Sequence, residues 1–257
     1  MWNLNQDGAV DQKAEITGVQ LPMTSPWKSA ADALVGDLRN VFGNRILAVV
    51  AYGACIEGVT NAPLTCLVLV GSLELGDLQA CAQFMRRWNR AQIATPLIMP
   101  SHEFMRSLDT FPIEYGEIIR AHELVYGDDP FVTATIAPED LRRACELQAK
   151  SHLVHLRESF IESGGSPNDV AELVATSAPA FTVLLRNVAR LNSVTLSDWG
   201  EVTRAGARAV GIPEDLVADM LTLERKPDVP AADASRLFPE YLAAVEQLAR
   251  AVDGWRA

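Results

Sequence analysis

The chain has 257 residues, is 49% hydrophobic and carries a formal net charge of -11. That is enough apolar material for one large domain or two small ones, and the acidic balance excludes an extended nucleic-acid footprint, which needs clustered Lys and Arg. No apolar run approaches the ~20 residues that span a bilayer and the start MWNLNQDGAVDQKAE lacks the order of a secretory signal, so a cytoplasmic protein is expected, with Cys55, Cys66, Cys81 and Cys145 as structural thiols.

Residues 1–26 are polar and broken by Gly8, Gly18, Pro22 and Pro26, and read as a loosely attached N-terminal arm. Ser25-Pro26 is a helix start, with a capping hydroxyl and a proline at the first helical position. Ala30, Leu34, Leu38 and Val41 then recur at helical spacing, so a helix is expected to run to Phe42 and stop at Gly43-Asn44. Two apolar runs follow, Ile46–Tyr52 and Leu64–Val70. They are short and rich in Val, Ile and Leu, which predicts adjacent buried strands, with the turn Gly53–Pro63 between them as the place for chemistry.

After Gly71-Ser72 a helix is expected over 75–89, with Leu78, Cys81, Ala82, Met85 and Trp88 on its inner face and Arg86, Arg87 and Arg90 solvated. The run Ala94–Met99 reads as a strand and Ser101–Ser107 as a short helix. Phe111–Gly127 has no decisive periodicity, although Glu123–Tyr126 favours a strand. These elements predict an α/β layer over 27–130. Beyond Asp128-Asp129-Pro130 the composition turns to Ala, Leu, Glu and Arg. Helices are expected over 138–162, 167–192, 197–210, 213–224 and 233–254, separated by Gly, Pro and Asn-Ser breaks. Short connections imply antiparallel neighbours, so 131–257 should form a helical bundle.

The segments AYGACIEG and PLTCLVLV, with VYGDD closing the α/β half and a helical bundle after it, resemble the nucleotidyltransferase superfamily of polymerase β and the antibiotic-modifying nucleotidyltransferases. The likeness is to a divergent bacterial member whose active-site motif is degenerate. The family pattern is close to LYGS-x-A-x-G…SDIDLLVV. The resemblance implies an α/β (α+β) domain with a mixed sheet, followed by the bundle. It also implies two-metal phosphoryl transfer, in which two aspartates one residue apart on a strand hold divalent cations. A third carboxylate stands on a neighbouring strand, and the glycine turn offers an amide and a hydroxyl to the nucleotide phosphates.

In this chain Gly53 and Ala54 keep the amide of the nucleotide-binding turn and lose the hydroxyl. Leu64 and Cys66 are read at the aspartate positions, and the strand Thr95–Met99 holds no acid. Leucine has no ligand atom and a thiol is a soft ligand for Mg²⁺. The resemblance therefore implies a catalytically degenerate scaffold that serves as a nucleotide-binding, small-molecule-binding or regulatory module, with no cofactor expected. Two alternatives stand beside it. One is an active transferase acting on a small molecule or protein, using Mg²⁺ held by the displaced carboxylates Glu57, Glu114 and Glu117. The other is a structural subunit that pairs with a second copy or another protein through its helical half.

Other constellations carry less. His152 and His155 share a helix face as a packed or surface pair; His102 and His122 are isolated. Asp128 and Asp129 fit a turn, and Ser25, Ser163 and Ser166 lack His and Asp neighbours. Trp199, Tyr241, Phe238 and Trp255 are candidates to cover a cleft or a dimer surface.

Overall fold

The computed structural model describes residues 26–57, 59, 61–194, 196 and 198–255. The expected arm, apart from Pro26, and the Ser25 cap lie outside them. Helix α1 (Pro26–Phe42) buries Ala31, Leu34, Leu38 and Phe42, spaced three and four apart as one helix face requires. The same face carries Asp37, whose carboxylate accepts from the Trp88 indole at 3.0 Å and pairs with Arg87. Gly43, at φ +55°, turns the chain into β1 (Ile46–Tyr52).

Strand β2 (Thr65–Val70) returns antiparallel beside β1. The helix expected over 75–89 is two helices, α2 (Leu75–Ala82) and α3 (Met85–Arg90), broken at Gln83-Phe84. The break re-aims the second segment, so Trp88 is buried against Asp37 while Leu78, expected inward, is exposed. A reciprocal Glu74–Asp77 capping box starts α2, and Arg45 clasps Asp77 with two bonds of 2.6 and 2.7 Å.

Strand β3 (Leu97–Pro100) pairs in parallel with β2, later and shorter than the apolar run suggested. Helix α4 (Ser101–Arg106) follows directly. The ambiguous segment resolves into α5 (Pro112–Arg120), opened by a proline in its first turn, and β4 (His122–Gly127), antiparallel to β1. The sheet order is β3-β2-β1-β4. Gly127 sits at φ +81° against the Leu47 carbonyl, where a side chain would collide.

The second half comprises α6 (Pro138–Glu162), α7 (Pro167–Leu191), α8 (Trp199–Ala209), α9 (Glu214–Arg225) and α10 (Ala231–Gly254). Helix α7 is central and packs on the other four. Its stretch Leu184–Ala189 is buried all round, Arg186 and Asn187 included, as befits a helix with no solvent face. The core of this half takes in Ile113 from α5, while Phe131 and the partly buried Ala134 join the sheet core, so the two halves interlock around 112–136. Among the described residues no helix is long and apolar enough to cross a membrane, and all four cysteines are free and buried.

The histidine pair is split by its helix. His155 faces outward to Glu158 at 3.1 Å, whereas His152 turns inward to the buried Tyr241 hydroxyl at 2.8 Å and lies along the Phe181 ring. Burial pushes His152 down from about 6.5 to about 4. The unfolded chain therefore takes up a proton near pH 6.5 that the folded chain refuses. Stability contributed by neutral His152 is present above pH 6.5 and lost as pH falls toward 4. Equilibrium unfolding should show a loss of about 2 kcal/mol between pH 6.5 and 5, and His152→Gln should flatten that slope.

Helices α7 and α8 approach so closely that a Cβ on Gly206 would fall within the radius of the Leu185 carbonyl oxygen. Gly206→Ala should cost about 3 kcal/mol and lower the melting temperature by roughly 6–10 °C in calorimetry, although alanine favours an isolated helix.

Candidate functional site

Strand side chains alternate between faces, and residues paired across an antiparallel ladder share a face. Ala51 pairs with Cys66 and Tyr52 with Thr65. Leu64, Cys66, Val68 and Val70 consequently enter one core with α1, Cys81 and Trp88. The opposite face carries Tyr52, Leu67 and Leu69, sealed by Phe104 of α4, Tyr115 and Ile118 of α5, and Phe131. It is this second face whose covering helix, α5, meets the bundle.

The positions read as aspartate equivalents, Leu64 and Cys66, belong to the face packed on α1 and Trp88. Leu64 and Cys66 are 2% and 0% exposed on the face away from the bundle, and burial pushes the Cys66 thiol up to about 12. The opposite face of β2 carries Thr65, Leu67 and Leu69, and the two leucines are buried beneath α4 and α5. The β2 sequence is apolar on both faces, so nothing in it marks which residues point where.

The turn after β1 begins with Gly53 at φ +74° and a single 3-10 turn, Gly53–Cys55, in which Gly53 accepts from the Ile56 amide at 3.0 Å. This brings Ala54 and Glu57 to the edge of a half-open cleft of about 580 Å³ between the turn and the bundle. The opposite wall consists of Arg186 from α7, Asp198 and Trp199 at the start of α8, and Glu224 and Arg225 at the end of α9.

Arg186 is nine-tenths buried and forked onto Glu224 with bonds of 2.7 and 3.3 Å. Its guanidinium also lies 4.9 Å from the Trp199 ring centroid, and that of Arg120, from α5, lies 3.4 Å from the same centroid. Arg120 pairs with Glu117 at 3.1 Å, and Arg190 reaches Glu117 at 3.4 Å and the Gly116 carbonyl at 3.4 Å. Two arginines on one indole thus join the α/β half to the bundle. Burial pulls the Arg120 guanidinium below its usual value, opposed by Glu117. Partial desolvation raises the Glu57 carboxyl, Arg186 drawing it back down and Glu117 and Glu224 pushing with the desolvation.

The displaced carboxylates do not converge on a cation. Glu114 accepts from Gln148 at 2.9 Å, Glu117 is held by two arginines, and Glu57 stands at the cleft mouth. Strand β3 carries no acid. Among the described residues no three His, Cys, Asp or Glu side chains are arranged to hold a metal ion. The donor set does not fit a pair of Mg²⁺ ions, which need several hard oxygens in fixed geometry. Asp129 accepts from the Phe131 amide at 2.9 Å, as a turn residue does.

Of the aromatic residues read as cleft or surface candidates, Trp199 lines the cleft, while Tyr241 and Phe238 are core. The sequence reading missed Arg120, Arg186, Glu224 and Arg225. One signal was present: Arg186 interrupts the apolar run AFTVLL-NVA, and a charge in such a run has to be paired.

Neither a protein-family model nor a curated protein matches the chain. Among solved structures it is similar to a spectinomycin adenyltransferase from Enterococcus faecialis, crystallised with ATP and spectinomycin. The identity is 12%, the TM-score 0.55, and the match covers 88% of this chain and 98% of that one. The likeness shows the fold alone: a mixed-sheet α/β layer followed by a helical region.

The stack at Trp199 makes a quantitative demand. In a double-mutant cycle of Arg120→Met with Trp199→Leu, read by chemical denaturation, the coupling should be about 1–2 kcal/mol. Additive effects would mean that the two side chains are neighbours without being partners.

Proposed function

We propose that this nucleotidyltransferase fold serves as a binding or regulatory module that takes a nucleotide or other small molecule in the cleft between the Gly53 turn and the bundle. Two-metal transfer has been lost. The observation that carries this reading is β2 itself: from Thr65 to Val70 it holds no carboxylate on either face, and Leu64, Cys66, Leu67 and Leu69 are all buried in the two cores of the sheet. The arginine partners of Glu117 and the Gln148 partner of Glu114 support it, since both carboxylates are already engaged. The similar solved protein holds ATP and spectinomycin, which favours a cleft that kept a ligand after the catalytic carboxylates went.

The residues' roles follow from their chemistry. Ala54 presents its backbone at the cleft edge, Trp199 supplies an apolar wall whose ring is held by Arg120, and the Arg186–Glu224 fork makes a rigid floor without a mobile charge. Thermal-shift measurements should find a small molecule among the four nucleoside triphosphates and a metabolite panel that stabilises the protein in EDTA. A ligand at 100 times its Kd adds about 2.7 kcal/mol, or roughly 5–10 °C. Adding Mg²⁺ or Mn²⁺ should not enlarge that shift. Metal-dependent stabilisation, or transfer of a labelled nucleotidyl group that Glu57→Gln, Glu114→Gln and Glu117→Gln together abolish, would overturn the reading. So would a protein that no member of the panel stabilises.

A further inference from the structure

The charged groups of the cleft separate into spent and unspent ones. Arg186 and Glu224 consume each other in the two-bond fork. Asp198 accepts from the Glu201 amide at 2.8 Å as the cap of α8. Arg120, beneath the indole, is taken by Glu117. Two lining charges are left: Glu57, on the turn that follows β1, is influenced by its neighbours only through space and desolvation; Arg225, in the last turn of α9, has no acid partner among the described residues. They have opposite signs and stand on opposite walls, one from each half of the protein.

A nucleoside triphosphate suits this arrangement poorly. Without a cation it would bring several negative charges toward the Glu57 and Asp198 carboxylates with Arg225 as the one unspent arginine in compensation. A molecule with a positive and a negative end meets both unspent groups, and the Trp199 ring and Leu221 between them offer apolar contact. We propose that the cleft takes a small dipolar molecule of the amino-acid or short-peptide type, its ammonium group against Glu57 and its carboxylate against Arg225. The proposal rests on reading the cleft as a binding site and narrows what that site accepts. The volume of about 580 Å³ leaves room beyond a single amino acid, so a dipeptide is the natural probe. Recognition of both ends explains why the two unspent charges come from different halves: the ligand would bridge them.

The test is calorimetric titration of the full-length protein with a dipeptide panel of varied side chains, each member supplied free, N-acetylated and C-amidated. At least one free dipeptide should bind, and blocking either end should weaken it at least tenfold. Glu57→Gln should erase the penalty for acetylation but not that for amidation, and Arg225→Gln the reverse. Both side chains are solvent-exposed, so both variants should melt with the parent protein. Affinity indifferent to the blocking groups, or variants that bind all three forms like the parent, would overturn the proposal. If no dipeptide binds but ATP does so in EDTA, the dipolar ligand is wrong and the binding reading stands. If neither dipeptides nor any other small molecule binds, both fall.

Discussion

The ladder that sets Tyr52 opposite Thr65 decides what this protein can offer a ligand. An antiparallel pair has a period of two, so one cross-strand partnership assigns every residue of β2 to a face. Cys66 and its alternates go to α1 and Trp88; Leu67 and Leu69 go beneath α4 and α5. The second of these faces is hydrocarbon packed against aromatic rings. Burying two unpaired carboxylates there would cost several kcal/mol without cations to neutralise them. Leucine under Phe104 is the stable filling for such a face.

Because the strands cannot supply charge, the polar character of the cleft comes from elsewhere. It is assembled from helix ends and from one buried arginine in α7. Arg186 is forked onto Glu224, and Arg120 and Arg190 share Glu117 in a second group. Forked bonds and ring contacts make these groups stiff. Stiffness matters for a binding cleft because ordering costs are met at folding and not at association. The contacts of α5 with both the sheet core and the bundle core serve the same end, since they leave little freedom between the halves.

Much of the architecture was legible in the sequence. The apolar spacing of α1, the two β-rich runs, and the Pro-initiated helices of the second half all correspond to observed elements. The shortfalls have local causes. Residues 75–89 read as one helix because both pieces are apolar at helical spacing, and the bond from Trp88 to Asp37 is a tertiary one that local spacing does not reveal. Residues 111–127 had no readable period because α5 is buried on more than one side, as Ile113, Tyr115, Gly116 and Ile118 indicate. The site was less legible. Ala54 and Glu57 border the cleft, while β2, apolar on both faces, gave no sign of which residues share a face because a doubly buried strand hides its alternation. The arginines were invisible to motif reading since they come from three helices far apart in the chain.

The indole of Trp199 stands on the first residue of α8, and Gly206, seven residues on, is where that helix presses into α7. Seven residues of helix are about 10 Å. The geometry is that of a lever: a fulcrum of backbone against backbone, an arm two turns long, and at its tip the ring on which two arginines rest. A tilt of a few degrees at the fulcrum moves the tip by a sizeable fraction of an ångström, enough to open or close contact with a ligand. The place of the Trp199 ring at the cleft is thus tied to a close backbone contact seven residues away, at the smallest side chain in the protein.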